Sequence, residues 1–196
     1  LVRLRGELME KAVPRGQGGM AAVMGLDDEA VKACCASVDG VVVAANFNAP
    51  GQVVVAGETQ AVAQAADACK EAGAKRAVIL DVSGPFHSPL MAATKTEFAE
   101  ALNAVDVRMP VIPIVQNVNA EIPANLDALK ESLLAQIAEP VLWASCVQTM
   151  VARGVSRFVE VGPGSVLSGL IRRISKPTPT RSLAAPAGVR EALNDG

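Results

Sequence analysis

The sequence predicts an α/β protein in which two parts use different kinds of sheet. Residues 20–82 carry strand and helix patterns in the order β-α-β-β-α-β, which is the split β-α-β, or ferredoxin-like, order. Residues 83–175 alternate strand and helix, which is typical of a parallel sheet covered by helices. The chain has 196 residues and is 51% hydrophobic, so its composition supports a sizeable core.

Capping residues and helix breakers set the element boundaries of the first half. Asp27 or Asp28 can cap a helix, Gly73 can end one, and Asn48-Ala49-Pro50-Gly51 predicts a tight turn. One helix has an apolar stripe made of Val62, Ala65, Ala66 and Cys69. The predicted elements are a helix at 1–13, a strand at 20–25, a helix from 27 or 28 to 38, strands at 41–47 and 52–56, a helix at 58–72 and a strand at 74–82.

The second half has the same kind of punctuation, with Glu139-Pro140 separating two helical patterns. The predicted elements are helices at 91–103, 126–137, 141–153 and 165–174, and strands at 109–118 and 157–161. Residues 176–196 are rich in Pro and Ala and predict a tail, with a short helix at 189–194.

Charge, hydropathy and cysteine content exclude several classes of protein. The net charge is −2 without a basic run, which argues against a nucleic-acid surface, and no apolar stretch is long enough for a membrane span. The four cysteines include no Cys-x-x-Cys pair and the chain has one histidine, so no metal site is predicted. We expect buried cysteines in a reducing cytoplasm. Leu1, Leu4 and Leu8 share one helical face, so we expect the chain to begin inside a helix.

The only histidine lies in the segment Val82-Ser83-Gly84-Pro85-Phe86-His87-Ser88-Pro89-Leu90-Met91, between a predicted strand and a predicted helix. One glycine and two prolines mark this segment as a loop. A histidine fixed in such a loop is suited to proton transfer near neutral pH. On chemistry alone, a histidine that merely hydrogen-bonds its own loop fits the pattern equally well.

This decapeptide resembles the histidine loop of malonyl-CoA:acyl carrier protein transacylases. Other segments resemble the same family in the same order, and together they extend over residues 1–174. They are Arg5-Gly6-Glu7-Leu8-Met9, Gly19-Met20-Ala21-Ala22-Val23 with Asn46-Phe47-Asn48-Ala49-Pro50-Gly51-Gln52-Val53-Val54, Gln136 with Glu139-Pro140-Val141-Leu142-Trp143, and Glu160-Val161-Gly162-Pro163-Gly164.

The resemblance implies a two-part architecture and a set of partners. Residues 1–19 and 83–175 would form an incomplete α/β-hydrolase-like parallel sheet, with residues 20–82 inserted as a ferredoxin-like subdomain and residues 176–196 as a tail. The implied activity is malonyl transfer in fatty-acid biosynthesis, with malonyl-CoA and an acyl carrier protein as partners. The resemblance implies no metal or organic cofactor, no nucleic acid and no membrane, and a monomer in the full-length form.

The resemblance also assigns three residues to the chemistry. His87 would be the general base, taking a proton from a serine hydroxyl and returning it to the departing thiol. The backbone carbonyl of Gln136 would orient the imidazole in place of the usual carboxylate. Arg5 would bind the malonyl carboxylate through two parallel hydrogen bonds. Without the resemblance, Gln136 and Arg5 would be taken as ordinary polar helix residues.

Three further residues are expected near the substrate. Phe86, directly before the histidine, would leave no room for an α-methyl group, although a packing role also fits it. Asn48 and Asn117 would lie near the cleft. The turn Gly162-Pro163-Gly164 lacks the spacing of a phosphate-binding loop and predicts only a structural turn.

The chain contains no Gly-x-Ser-x-Gly, the turn that carries the nucleophile in this family. We therefore expect the 196 residues to lack the serine and to be inactive alone. Two alternatives remain open, which are an acyltransferase domain of a polyketide synthase and a non-catalytic binding module that uses the ferredoxin-like half.

Overall fold

Residues 18–79 form a four-stranded antiparallel sheet and two helices, in the predicted order of elements. The structure is a computed structural model and describes residues 1–185, 188 and 190. In chain order the elements are α1 (Val2–Lys11), β1 (Gly18–Met24), α2 (Asp28–Ala36), β2 (Val42–Ala49), β3 (Gln52–Glu58), α3 (Thr59–Glu71) and β4 (Arg76–Ile79). The strands stand in the spatial order β2-β3-β1-β4.

The two helices pack on one face of this sheet. Asp27 caps α2, since its Oδ1 accepts a hydrogen bond from the N–H of Ala30 at 2.8 Å. The predicted stripe of α3 is buried against Ala21, Val23, Val53 and Val55 of the sheet. Full burial of each valine contributes about 1.5–3 kcal/mol, so this face alone stabilises the sheet substantially.

The opposite face of the sheet is also apolar and packs toward the rest of the chain. Met20, Ala45, Val54 and Ala56 form a small cluster there, and the ring of Phe86 packs against it. Because strand side chains alternate between faces, β1 and β3 serve both layers with successive residues. The histidine loop therefore rests on the sheet face that the helices leave open.

Strand β2 contains two register shifts and is joined to the second half of the chain. The shifts lie between Ala44 and Asn46 and between Phe47 and Ala49, and such bulges redirect side chains. The edge of β2 pairs with Val141, which accepts a hydrogen bond from the N–H of Phe47 at 2.9 Å and donates one to the carbonyl of Ala45 at 2.8 Å. This contact covers the free edge of the sheet.

Up to residue 185, the second half contains four helices, a 3₁₀ turn at Pro89–Thr94 and two short parallel strands. Helix α1 packs with this half through Met9, which shares a buried cluster with Met91, Phe98, Leu102 and Ile137. The remaining elements are α4 (Lys95–Asn103), α5 (Leu126–Ala135), α6 (Trp143–Ala152), β5 (Phe158–Val161), α7 (Val166–Ile174) and β6 (Thr180–Leu183).

The predicted strand at 109–118 is wrong, because the structure describes all of these residues and places none in a strand. Pro110 and Pro113 have no N–H to donate to a ladder. Val111 is 100% exposed and Ile112 78% exposed, so the apolar alternation has nothing to pack against. Periodicity indicates a strand only where a neighbouring strand completes its hydrogen bonds.

Three smaller predictions also need correction. The turn predicted at 48–51 is shorter, because β2 continues through Ala49 and leaves Pro50 and Gly51 as the turn. The helix predicted at 91–103 begins with the 3₁₀ turn, and only its later part is α-helical. The predicted tail contains β6, which pairs with β5 and gives residues 180–183 the partner that residues 109–118 lack.

The short helix predicted at 189–194 lies almost wholly outside the described residues. Across the part of the chain that is described, no helix combines the length and the apolar character needed to cross a bilayer.

Candidate active site

A cleft of about 680 Å³ opens between α1, the second face of the sheet and the histidine loop. It brings together side chains from α1, β1, β2 and the histidine loop. The apolar part of its lining comes from Met9, Met20 and Phe86, and the charged and polar part includes Arg3, Arg5, Glu7, Glu10, Asn46 and His87. A concave space with apolar walls and a few polar groups is typical of a small-molecule site.

The histidine loop is fixed by its own small residues and prolines. Ser88 is fully buried and its hydroxyl donates to the carbonyl of Pro85 at 2.7 Å. Pro85 packs against Gly18 at the start of β1, where a Cβ would overlap the proline ring. Pro89 begins the 3₁₀ turn. Ser88 is therefore committed to holding the loop and does not face the cleft as a nucleophile.

His87 adopts a left-handed backbone conformation, with φ of 59°. This conformation costs a non-glycine residue roughly 1–2 kcal/mol. Strain of this kind clusters at functional sites, where the surrounding structure holds it in place. Here the two prolines and the Ser88 hydrogen bond supply that support.

Burial lowers the pKa of His87 below its ordinary value, and the positive charge of Arg5 lowers it further. The backbone carbonyls of Gln136 and Glu139 act in the opposite direction and raise it. Nδ1 is buried and has no hydrogen-bond partner within the described residues, so these carbonyls act on the ring without a well-formed bond to that atom. The side-chain carboxylate of Glu139 forms an ion pair with Nζ of Lys95 at 3.6 Å. A neutral imidazole at neutral pH is the form that can accept a proton.

Arg5 reaches the same carbonyl from the first helix. Its Nη2 donates to the carbonyl oxygen of Gln136 at 3.3 Å, and the side chain is half-buried. Burial lowers the pKa of Arg5, but an arginine stays protonated in proteins. Gln136 is the C-cap of α5, and helix ends leave carbonyls without intrahelical partners. Arg5 therefore donates to the same helix-end carbonyl that raises the pKa of His87.

The structure brings four of the six predicted site residues together. Phe86 lies beside His87 in the cleft lining, and Arg5 and the Gln136 carbonyl complete the group. Asn48 does not line the cleft, because it occupies the bulge at the end of β2. Asn117 lines a separate depression together with Gln116 and Gln136.

Asn46 was missed by the sequence reasoning, although it lines the cleft. The signal was present, since Asn46 is the first polar residue in the apolar run from Val41. The register shift after Ala44 decides which face it takes, and a sequence pattern alone does not reveal such a shift.

The cysteines are placed as predicted and are unsuited to act as nucleophiles. All four are free and buried. Burial raises the pKa of Cys35 to about 11 and that of Cys146 to about 11, and burial together with contact with Cys34 raises the pKa of Cys69 to about 12. Because the thiolate is the reactive form, the raised pKa values leave the thiols of Cys35, Cys69 and Cys146 unreactive near neutral pH.

The turn at 162–164 leads into a helix whose N-terminus is already occupied. The carboxylate of Glu160 accepts hydrogen bonds from the N–H groups of Leu167 at 3.0 Å and Ser168 at 2.8 Å. Hydrogen bonding by Ser168, and then by Leu167, holds the pKa of Glu160 below its ordinary value. The glycines permit this turn, with φ of 138° at Gly162 and 90° at Gly164.

The left-handed conformation of His87 predicts an unusual order of stability among substitutions there. Glycine normally destabilises a chain relative to alanine, but at positive φ the order should reverse. We expect the free energy of unfolding of His87→Gly to be about 1 kcal/mol higher than that of His87→Ala, and we expect His87→Val to be the least stable of the three variants.

Denaturant unfolding of the 196-residue chain measures this order, with Ala101→Gly in α4 as the control. There glycine should cost about 1 kcal/mol. A His87→Gly variant less stable than His87→Ala would show that the loop is not strained at this residue.

The cleft thus places the half-buried imidazole of His87 and the guanidinium of Arg5 on one common space. The family model described as "Acyl transferase domain" matches residues 1–188. The chain therefore belongs to the acyl transferase domain family.

Individual relatives have more specific names. The chain is 45% identical over 195 residues to the malonyl CoA-acyl carrier protein transacylase of Escherichia coli K12, which covers 98% of this chain and 63% of the relative. The malonyl-CoA:acyl carrier protein transacylase structure from Xanthomonas oryzae pv. oryzae is 44% identical, with a TM-score of 0.94, covering 99% of this chain and 62% of that one.

A third relative is solved as a complex of a type II polyketide-synthase acyl-carrier protein with its malonyl-transacylase. It is 41% identical with a TM-score of 0.94, and it covers 100% of this chain and 64% of that chain. The chain thus spans less than two thirds of the length of the relatives named here.

Proposed function

We propose that these residues form the base-bearing and carboxylate-binding part of an acyl carrier protein S-malonyltransferase of fatty-acid biosynthesis. The observation that carries the proposal is the convergence of Arg5 and His87 on the Gln136 carbonyl beside one cleft. The names of the relatives supply the substrates, malonyl-CoA and an acyl carrier protein. The 196 residues contain no serine turn, so the nucleophile would come from a segment ahead of Leu1.

In the proposed first half-reaction His87 takes the proton of the serine hydroxyl. Nδ1 is buried, so we assign this step to Nε2. The serine oxygen attacks the thioester carbonyl, the carbon–sulfur bond breaks, and coenzyme A leaves as a thiol with the proton from His87. The second half-reaction runs in reverse with the thiol of the carrier protein, and His87 is again the proton acceptor and donor.

Arg5 and Phe86 would select the acyl group. A guanidinium at the edge of the cleft can exchange the single Gln136 carbonyl for the two oxygens of a malonyl carboxylate. The Phe86 ring packs against the sheet beside His87, where it would occupy the space that an α-methyl group needs. We also propose a substrate-contacting role for Asn46, which lines the cleft, and keep Asn48 and Asn117 as proposed residues near the substrate.

We further propose that β5 and β6 belong to a larger α/β-hydrolase-like parallel sheet, with residues 20–82 inserted as a ferredoxin-like subdomain. Apolar side chains beside β5 favour this arrangement, because Val161 is 69% exposed and Val166 72% exposed. Isolated surfaces of this kind are normally covered by further strands or helices.

The proposal predicts that the 196-residue chain alone transfers no malonyl group. An extended chain, in which a serine-bearing segment of the acyl transferase family precedes Leu1, should form a malonyl adduct and pass it on. Intact-mass analysis after incubation with malonyl-CoA, with and without acyl carrier protein, measures both steps.

The same assay separates the alternatives. A fatty-acid carrier protein and a type II polyketide carrier protein, offered in parallel, distinguish the two pathways that the relatives represent. An extended chain that binds malonyl-CoA but never forms an adduct would favour a non-catalytic module. A malonyl adduct on the 196-residue chain itself would place the nucleophile within these residues and overturn the serine assignment.

A further inference from the structure

The backbone carbonyl and the side-chain amide of Gln136 form hydrogen bonds with two different residues. Its backbone carbonyl accepts a hydrogen bond from Arg5, a residue of the cleft, and raises the pKa of His87. Gln136 also lines the separate depression beside Gln116, where its Nε2 donates to Oε1 of Gln116 at 2.8 Å. The direction of the carbonyl is therefore tied to a residue outside the cleft.

Gln116 is itself held firmly. It is 4% exposed, its N–H donates to the carbonyl of Glu121 at 2.8 Å, and its own carbonyl accepts from the N–H of Ala120 at 2.9 Å. The thiol of Cys146 on α6 contacts the same carbonyl at 3.4 Å. A side chain on so fixed a backbone is a rigid anchor for its hydrogen-bond partner.

The helix end needs such an anchor. Gln136 follows the last α-helical residue, and the N–H groups of Gln136, Ile137 and Ala138 already turn back on the final turn of α5. The last carbonyls of a helix have no intrahelical partners and fray easily. Without the side-chain hydrogen bond to Gln116, Gln136 would lose one of the contacts that fix the direction of its backbone carbonyl.

We propose that Gln116 is a positioning residue, which fixes the Gln136 carbonyl against both His87 and Arg5 through the Gln116–Gln136 side-chain hydrogen bond. This inference rests on the proposed function for its catalytic meaning. It does not require the serine segment to be present, because Gln116, Gln136, Arg5 and His87 all lie within the 196 residues. The effect of the Gln136 backbone carbonyl can therefore be tested by mutation, since Gln116 can be changed while the carbonyl itself stays.

The single histidine makes a direct test possible. One Cε1 proton resonance reports the titration of His87 in the 196-residue chain. The comparison is made in an Arg5→Ala background, so that movement of the arginine does not contribute. The other charged groups around His87, which are Arg3, Glu7 and Glu10 on α1 and the Lys95–Glu139 pair, are unchanged in every variant.

Gln116→Leu should lower the His87 pKa in this background, because a misdirected carbonyl no longer stabilises the protonated ring. Gln136→Leu keeps the carbonyl and removes the donor, and should lower the pKa by the same amount. The double variant should do no more than either single one, because both break one interaction. Ser132→Ala, another buried polar residue of α5, is the control and should leave the titration unchanged.

Kinetics of the extended chain give the second readout. Gln116→Leu should reduce kcat/KM by up to about a hundredfold, as expected for an ångström-scale displacement of a catalytic group, and should move the acidic limb of the pH profile to lower pH. Ser132→Ala should stay near the parent.

An unchanged His87 titration in Gln116→Leu, or additive shifts in the double variant, would overturn the positioning role. A shifted titration with parental kcat/KM in an active extended chain would overturn it as well. If the extended chain shows no transfer at all, the proposed function fails, while the titration still decides whether Gln116 sets the environment of His87.

Discussion

Replacing His87 with alanine in the extended chain should lower the rate of malonyl transfer by about a hundredfold to ten-thousandfold. This is the range expected when a general base is lost. Binding of malonyl-CoA should change little, because the proposed carboxylate contact belongs to Arg5. The measurement is kcat/KM for transfer to acyl carrier protein, together with the dissociation constant for malonyl-CoA.

The pH profile of the parent provides an independent check on the same residue. Burial and the nearby Arg5 lower the pKa of His87, so the neutral, proton-accepting form persists to lower pH than for an ordinary histidine. Activity should fall only as the pH drops through this lowered pKa, and that limb should vanish from the residual activity of His87→Ala. Turnover of His87→Ala near the parental rate would remove His87 from the mechanism.

Replacing Arg5 with alanine should weaken malonyl transfer by about tenfold to a hundredfold while leaving acetyl transfer nearly unchanged. A hydrogen bond to a charged group contributes about 1.5–3 kcal/mol, and each 1.36 kcal/mol corresponds to a factor of ten. Acetyl has no carboxylate and loses nothing when the guanidinium is removed. The ratio of kcat/KM values for the two thioesters measures this selectivity.

Arg3 provides a matched control on the same helix. Arg3 also borders the cleft, but its side chain is 92% exposed and pairs with Glu7 at 2.9 Å, and an exposed pair contributes little. Arg3→Ala should therefore keep the parental ratio. Arg5→Ala should also move the acidic limb of the pH profile upward, since Arg5 lowers the His87 pKa. An equal loss for malonyl and acetyl would indicate that Arg5 serves only the structure.

The first half of the chain was predictable because its signals are local. Asp27 caps α2 as expected, and the stripe from Val62 to Cys69 is buried as its spacing predicts. The β-α-β-β-α-β order follows from such signals one element at a time. Residues 109–118 carry an equally clear alternation, but they lie unpaired, because pairing depends on a partner strand that a local pattern does not contain.

The site was predictable only in part, for a related reason. Motif resemblance pointed to Arg5, Phe86, His87 and Gln136, which the structure brings together. The left-handed φ of His87 and the role of Gln116 as an anchor depend on long-range packing. The resemblance implied that Asn48 lies near the cleft, whereas the structure puts Asn46 in the cleft lining and Asn48 in a bulge of β2, and a sequence pattern does not reveal such a bulge.

The close packing of Gly18 on Pro85 has a consequence for how this protein could be engineered or could diverge. Gly18 lies in a strand and touches no group assigned to the chemistry, yet any larger residue there must displace the ring two positions before His87. Substitutions at Gly18 would change the position of the histidine loop indirectly, and their effects would depend on which residue occupies position 85. A mutational library scored by activity should therefore treat positions 18 and 85 as one unit and vary them jointly.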